Sequence, residues 1–217
     1  MFVGHFGLAL AAKRLAPRAS LAVLILAAQL ADVMWPVLVA LGIEHVRIDP
    51  GNTAFTPLDF VAYPYSHSLL LLVVWGLILG VLTRTHVGGR AAIPLIGGLV
   101  VSHWVLDWIT HRPDMPLFPG GPRLGLGLWN AVPWTLAVEL VMFAVGTWIY
   151  VVTTRASDAI GRWGFFSLIA FLLLAYLANL HSVPPSVTAL YTAAIVGVLV
   201  IASWAWWVDR HRAVARS

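Results

Sequence analysis

Residues 91–110 read AAIPLIGGLVVSHWVLDWIT, a run of twenty residues in which only His103 and Asp107 are ionisable. An apolar helix of this length crosses the hydrocarbon core of a bilayer, which is about 30 Å thick. A charged side chain in such a helix costs about 2.5–3.5 kcal/mol on insertion scales. The stretch therefore predicts a transmembrane helix, and its two ionisable residues indicate either a functional site or a polar contact between helices.

The composition of the whole chain also indicates a membrane protein. Of its 217 residues, 60% are hydrophobic and 10% are charged, whereas soluble domains are about 45–50% apolar and about 25% charged. The net charge is +4, but the basic residues occur as short pairs beside apolar runs. That placement is typical of membrane orientation signals and not of a nucleic-acid-binding surface. The absence of cysteine excludes disulfides and thiolate metal sites.

Apolar runs of similar length recur along the chain, and they predict a single all-α membrane domain over residues 1–217. The predicted spans cover residues 20–43, 66–83, 91–110, 130–152, 163–181 and 187–208. Residues 2–12 are apolar but too few to cross a bilayer, so they predict a half-membrane or interfacial helix.

The distribution of lysine and arginine predicts the orientation of the bundle. Basic residues collect in cytoplasmic loops, and ten of the thirteen fall in one set of loops. This set consists of Lys13, Arg14, Arg18, Arg84, Arg90, Arg155, Arg162, Arg210, Arg212 and Arg216. The opposite set consists of Arg47, Arg112 and Arg123. Both termini are therefore predicted to be cytoplasmic, and the long loops 44–65 and 111–129 to lie outside.

His103 and Asp107 are four residues apart, so a helix places them on one face with about 6 Å of rise between them. An imidazole and a carboxylate at this spacing suit two ligands of one Zn²⁺, or one ligand and the group that orients it. The alternative is a hydrogen bond between His103 and Asp107 that helps to join neighbouring helices.

Two further ionisable residues lie in or at the start of other spans. Asp32 lies in QLADVMWP, four residues before Pro36, whose ring predicts a kink that frees the Asp32 carbonyl. His67 follows Ser66, a predicted N-cap, and the helix dipole there favours the neutral imidazole that binds metals. The alternatives are an ordinary proline kink and an interfacial histidine that faces water.

His5 and Glu139 are the remaining ionisable residues in apolar stretches, where inserting a charge into the membrane is costly. If residues 2–12 form a half-membrane helix, His5 lies deep enough to approach Asp32. The alternative for His5 is a lone histidine in an amphipathic anchor. Glu139 has no local partner in its span, and three roles stay open for it: membership of the site, proton relay, or pairing with a basic group.

These residues resemble, in order and spacing, the motifs of a bacterial family of inner-membrane-associated metal-dependent hydrolases. The family pattern is a near-N-terminal Gly-His, a Pro-Asp-x-Asp at the end of an apolar run, an HRG-x-THS segment, and a Ser-His-x-x-x-Asp helix before a Pro-Leu loop. The resemblance covers roughly residues 4–120. The matching residues are Gly4-His5, Ala31-Asp32, Ser66-His67-Ser68, Ser102-His103 with Asp107 and Thr110, and Pro116-Leu117.

The resemblance implies a hydrolase of the bacterial inner membrane, with motifs that look similar to those of zinc-dependent phospholipases. The chain departs from the family pattern at two positions. Met34 stands where the second aspartate is expected, and Ala62 falls near the position of the first histidine of HRG. With two ligands replaced, the resemblance implies one metal or none, and not a two-metal site.

The first hypothesis is therefore a membrane-embedded, outward-facing hydrolase that holds a divalent metal, with Zn²⁺ preferred. Its predicted ligands are His5, Asp32, His67, His103 and Asp107, with Asp107 or Asp32 as general base. Its predicted substrate is a lipid or lipid-linked phosphoester, and its partner is the bilayer. Two alternatives stay open: a transporter with an Asp32, His103 and Glu139 relay, and a non-catalytic scaffold. The oligomeric state is not predicted.

Overall fold

A computed structural model describes residues 1–180 and 182–215 and confirms the prediction of an all-α bundle. The helices are α1 (Val3–Ala12), α2 (Leu21–Ala28), α3 (Leu30–Ala40), α4 (Pro64–His67), α5 (Leu69–Val87), α6 (Ala92–Thr110), α7 (Val132–Thr153), α8 (Phe165–Asn179) and α9 (Val187–Arg210). Short antiparallel pairs join β1 (His45–Ile48) to β2 (Leu58–Ala62), β3 (Met115–Pro116) to β4 (Arg123–Leu124), and β5 (Thr154–Ala156) to β6 (Arg212–Val214).

Within the described residues, five helices are long and apolar enough to cross a membrane, and the bent pair α2–α3 makes a sixth candidate. These elements correspond one by one to the six predicted spans. The chain is therefore a membrane protein. The short helix α1 matches the prediction for residues 2–12 and is too short to cross a bilayer. The predicted end of span five at residue 181 lies outside the described residues, as does Arg216.

The first span is broken, but the break does not lie at the proline. α2 and α3 meet at Gln29, where the helix axis turns by 62°. Pro36 lies inside α3. The sequence therefore predicted the wrong position for the bend. At the break, the carbonyl of Ala28 accepts a hydrogen bond from the imidazole of His103, 2.8 Å away. A side chain from α6 thus satisfies a backbone group at the end of α2.

The second span begins later than predicted. Ser66 lies inside the short helix α4, and α5 begins after Ser68, whose backbone is extended. The prediction that Ser66 caps the span is therefore wrong, because its hydroxyl bonds to Glu44 and His67 instead. His67 lies at the end of α4, not in the first turn of a membrane-spanning helix.

Glycines allow two pairs of helices to approach closely. A Cβ atom on Gly146 of α7 would collide with the backbone of Gly7 in α1, and one on Gly7 would lie 2.6 Å from the carbonyl oxygen of Met142. In the same way, a Cβ atom on Gly76 of α5 would lie 3.0 Å from Cα of Gly97 in α6. Small residues of this kind are typical of packed membrane helices. These contacts seat the mostly buried α1 against α7.

α1 connects the two ends of the bundle. At its start, the amine of Met1 contacts the carboxylate of Asp107. Beyond its last residue, the ammonium of Lys13 bonds to the carboxylate of Asp209 at 2.8 Å. The β1–β2 and β3–β4 pairs lie at the Asp107 end, and the β5–β6 pair lies at the Asp209 end. Which end faces the cytoplasm stays a prediction.

Candidate metal centre

The five ionisable residues chosen from the sequence lie together at one end of the bundle. They come from four different elements: His5 from α1, Asp32 from α3, His67 from α4, and His103 with Asp107 from α6. Asp32 and His103 lie on the same side of the bundle, because Oδ1 of Asp32 is 3.7 Å from Nε2 of His103. All but Asp32 are buried.

His103 is held by the broken helix. Its Nδ1 lies 2.8 Å from the carbonyl oxygen of Ala28. Because a carbonyl can only accept, Nδ1 carries a proton, and in the neutral imidazole Nε2 then presents its lone pair. Nε2 points toward two carboxylates, 3.2 Å from Oδ2 of Asp107 and 3.7 Å from Oδ1 of Asp32. This is the arrangement of an imidazole prepared to bind a metal through Nε2.

His67 is fixed by a chain of two hydrogen bonds that begins at Glu44, in the loop after α3. The hydroxyl of Ser66 donates to Oε2 of Glu44 at 2.6 Å, and it therefore accepts from Nδ1 of His67 at 2.7 Å. Glu44 also accepts from the backbone N–H groups of Tyr65 and Ser66, which anchors its carboxylate. Nε2 of His67 is left facing Asp32, with 3.5 Å to Oδ1. Glu44 thus positions a histidine that lies 23 residues further along the chain.

His111 is a third imidazole of the same kind and was not among the predicted ligands. It follows Asp107 by four residues, just beyond the end of α6. Its Nδ1 bonds to Oδ1 of Asp114 at 2.9 Å, and that oxygen also accepts from the hydroxyl of Tyr63 at 2.7 Å. Its Nε2 lies 3.7 Å from Oδ2 of Asp107. The i,i+4 spacing from Asp107 is the signal that could have placed His111 in the cluster.

Tyr63 and His111 lie outside the spans, and burial shifts the pKa of both. Burial lowers the pKa of the His111 imidazole, against the opposing effect of Asp107 and Asp114. The ring is therefore neutral near pH 7, which leaves Nε2 free to bind a metal. Burial, with the Asp114 carboxylate nearby, raises the pKa of Tyr63 well above its usual range. The Tyr63 hydroxyl therefore stays protonated and donates to Asp114.

His5 packs against one face of the His103 ring. The two imidazole rings stack with their centroids 3.9 Å apart and their planes within 4°. Nε2 of His5 lies 3.1 Å from Oδ1 of Asp107, so the two oxygens of Asp107 face different histidines. The hydrogen bond of His5 is thus to Asp107, and Asp32 lies near it on the other side of the contact with His103.

The geometry of these groups fits a metal. Two sets of described residues bring three ligand atoms within 4.8 Å of one another: His5 with His103 and Asp107, and Asp32 with His67 and His103. Atoms bound about 2.0–2.2 Å from one tetrahedral Zn²⁺ lie about 3.3–3.6 Å apart, close to the nitrogen–oxygen distances around Asp32 and Asp107. The buried Nε2 of His103 also lacks a hydrogen-bond partner among the described residues. The cluster could therefore hold a metal ion.

Glu139 makes contacts that the sequence did not predict, at the start of α1. It is fully buried in α7, and its Oε2 accepts from the backbone N–H groups of Phe2 and Gly4, at 2.7 and 3.2 Å. These donors begin α1 and have no partner within the helix. A carboxylate at a helix N-terminus is favourable. Glu139 thus secures the short helix that presents His5.

An apolar cavity of about 430 Å³ adjoins the cluster. Its polar end is formed by Asp32, His67, Asp107 and His111, and most of the remaining wall is apolar and comes from α2, α3, α8 and α9. The side chain of Asp32 is 37% exposed, whereas that of Asp107 is 3% exposed. Asp32 is therefore the carboxylate of the cluster that is most accessible to a molecule in the cavity.

Comparisons of the chain with models of known protein families, with curated proteins and with solved structures found no match. The fold and the site alone define the class: an α-helical membrane protein with a buried cluster of histidines and aspartates beside an apolar cavity.

Proposed function

We propose that this protein is a membrane-embedded, metal-dependent hydrolase. The observation that supports the proposal best is the orientation of three imidazoles. His67, His103 and His111 each use Nδ1 to bond an outer acceptor and direct Nε2 toward the carboxylate of Asp107. Metal-binding histidines typically have this arrangement, because the outer bond fixes the tautomer. Helix-joining hydrogen bonds alone do not require three imidazoles to converge in this way.

Nitrogen and carboxylate ligands suit Zn²⁺ or Mn²⁺ better than soft metals, and we propose Zn²⁺. His67, His103 and Asp107 would hold the ion, with His5 or His111 completing the set. When bound, the ion would lower the pKa of a water molecule and polarise a phosphoryl or carbonyl oxygen. The more exposed Asp32 would accept the proton of the attacking water as general base. Asp107, almost fully buried, is better suited to ligation than to proton transfer.

The substrate and location follow from the same arrangement. A site inside an apolar bundle, beside an apolar cavity, favours a lipid or lipid-linked phosphoester over a water-soluble substrate. The resemblance in the motifs and the ten-to-three distribution of basic residues support placement in a bacterial inner membrane with the site open to the outer side. The relay remains the alternative, since Oε2 of Glu139 binds the start of α1 but its buried Oε1 lacks a hydrogen-bond partner among the described residues.

The metal content of the purified protein tests this proposal. Wild-type protein supplied with zinc at neutral pH should carry close to stoichiometric zinc by elemental analysis. His103→Ala should reduce zinc to background, because it removes the nitrogen shared by both sets of ligand atoms. His86→Ala changes an exposed histidine remote from the cluster and should leave zinc unchanged. Wild-type protein without zinc under these conditions would exclude the hydrolase proposal.

Labelling of single cysteines tests the orientation. Because the chain has no native cysteine, the reagent can label only the cysteine that is introduced. Ala54 and Leu124 are exposed at the cluster end, and Ala213 is exposed at the opposite end. Ala54→Cys and Leu124→Cys should react with an impermeant thiol reagent on intact cells, because the positive-inside count places their loops outside. Ala213→Cys should react only after lysis. The reverse pattern would overturn the proposed orientation.

A further inference from the structure

We propose that the apolar cavity holds one acyl chain of a bilayer phospholipid whose headgroup lies at the histidine and aspartate cluster. The inference deepens the proposed function, on which it rests for the role of the headgroup site. The inference is based on the lining of the cavity, which includes both polar residues of the cluster and apolar residues. Asp32 and His67 line the part beside the cluster, and the walls that α8 and α9 contribute are apolar except for Asn179. An amphiphile with a polar head and an apolar chain matches this distribution.

The length of the cavity favours an ordinary phospholipid chain. Its wall on α9 extends from Leu190 to Ile201, which are eleven residues or about 16 Å apart along the helix. That length is about half of a hydrocarbon core of about 30 Å, which is the depth of one leaflet. A chain that fills one leaflet therefore fits the cavity, whereas a much longer polyprenyl chain would extend beyond it.

Small side chains create the space for this chain. The α9 face of the cavity includes Ala193, Ala194 and Gly197, and α8 contributes Ala175. A Cβ atom on Gly197 would meet no atom within 4 Å, so a larger side chain can enter the cavity without displacing the protein. We therefore infer that Gly197 is a specificity-determining residue, because its lack of a side chain keeps the apolar part of the cavity open.

Photo-crosslinking tests the inference without requiring hydrolysis. The probe is a phosphatidylethanolamine with a diazirine near the end of one acyl chain, incorporated into lipid nanodiscs with the full-length protein. Crosslinks should concentrate at the deep end of the cavity, at Ile25 and Ile201, relative to the lipid-exposed Leu77. Gly197→Phe should reduce the deep-end crosslinks by about tenfold, since a pocket discriminates by about that much for small changes in volume. Crosslinks at Leu77 should not change.

Gly98→Phe is the matched control, because Gly98 also has open space at its Cβ position but lies outside the cavity. It should leave the deep-end crosslinks intact. If Gly197→Phe does not elute like wild-type protein, Ala194→Leu replaces it as a milder cavity-filling variant with the same expected direction.

The outcomes separate this inference from the proposed function. Deep-end crosslinks in wild-type protein that hydrolyses no lipid even when supplied with zinc would support the acyl-chain site while the hydrolase proposal fails. Deep-end crosslinks no stronger than those at Leu77, or unchanged in Gly197→Phe, would overturn the acyl-chain site even if lipid is hydrolysed. Displacement of the probe by a polyprenyl phosphate but not by phospholipid would also overturn it.

Discussion

Asp107→Asn should weaken zinc binding by more than about 100-fold, as measured by competition with a chelator of known affinity. Loss of a group that only orients a metal ligand typically lowers metal affinity by 10–100-fold. Asp107 is itself a predicted ligand, so its loss should have a larger effect. One of its oxygens lies within 3.9 Å of the Nε2 atoms of His67, His103 and His111. Asparagine keeps the shape of the side chain but removes the charge that a Zn²⁺ ligand provides.

A graded series makes this result specific. Asp114→Asn and Glu44→Gln alter groups that hold His111 and His67 through Nδ1, and each should weaken binding by about 10–100-fold. Asp158→Asn changes an exposed carboxylate near His211 at the opposite end of the bundle and should have no effect. Equal losses across all four variants would indicate general destabilisation and contradict the assignment of Asp107 as a ligand.

Asp209→Asn should lower the free energy of unfolding by about 3–5 kcal/mol, the typical cost of breaking a buried ion pair from one side. Lys13 and Asp209 are 6% and 9% exposed. Asp209 also accepts from the backbone N–H of Leu21 and from the hydroxyl of Tyr150, at 3.0 and 2.8 Å. One carboxylate therefore ties the end of α1 to α2, α7 and α9. Denaturant unfolding in detergent measures the loss.

Two controls distinguish the effect of charge from that of the mutation itself. Asp158→Asn removes a carboxylate from an exposed pair with His211 and should leave unfolding unchanged. The double variant Lys13→Met with Asp209→Leu removes both charges together and should recover part of the lost stability, because no unpaired buried charge remains. A single Asp209→Asn variant as stable as wild-type protein would show that solvent, not Asp209, stabilises the Lys13 ammonium.

The spans could be predicted because bilayer thickness alone sets their length. Each predicted run of apolar residues corresponds to a helix or to the bent pair of helices. The position of the bend was not predictable in the same way. Pro36 is a local signal for a kink, but the chain turns at Gln29, where an imidazole from α6 bonds the Ala28 carbonyl. A contact between residues 75 positions apart leaves no local pattern in the sequence.

The same distinction explains what could be predicted of the site. His103 and Asp107 share a helix face, which follows from helical periodicity. Asp32, His67 and His5 were chosen because ionisable groups are costly in apolar surroundings, and the structure places them near that face. Residues of irregular loops, such as Glu44 and Asp114, have no periodicity to reveal their direction. Their roles depend on how the loops fold over the bundle.

The bend at Gln29 has a chemical consequence for the imidazole that crosses it. In a straight helix, the carbonyl of Ala28 would accept from the amide of Asp32, four residues later. The Nδ1–H of His103 would then share this carbonyl with the amide, because a carbonyl oxygen has two lone pairs. At the break the Ala28 carbonyl accepts from the imidazole without that competition, which strengthens the bond that keeps a proton on Nδ1. A substitution that straightened this helix would leave every side chain of the cluster present yet weaken the bond that orients its central ring.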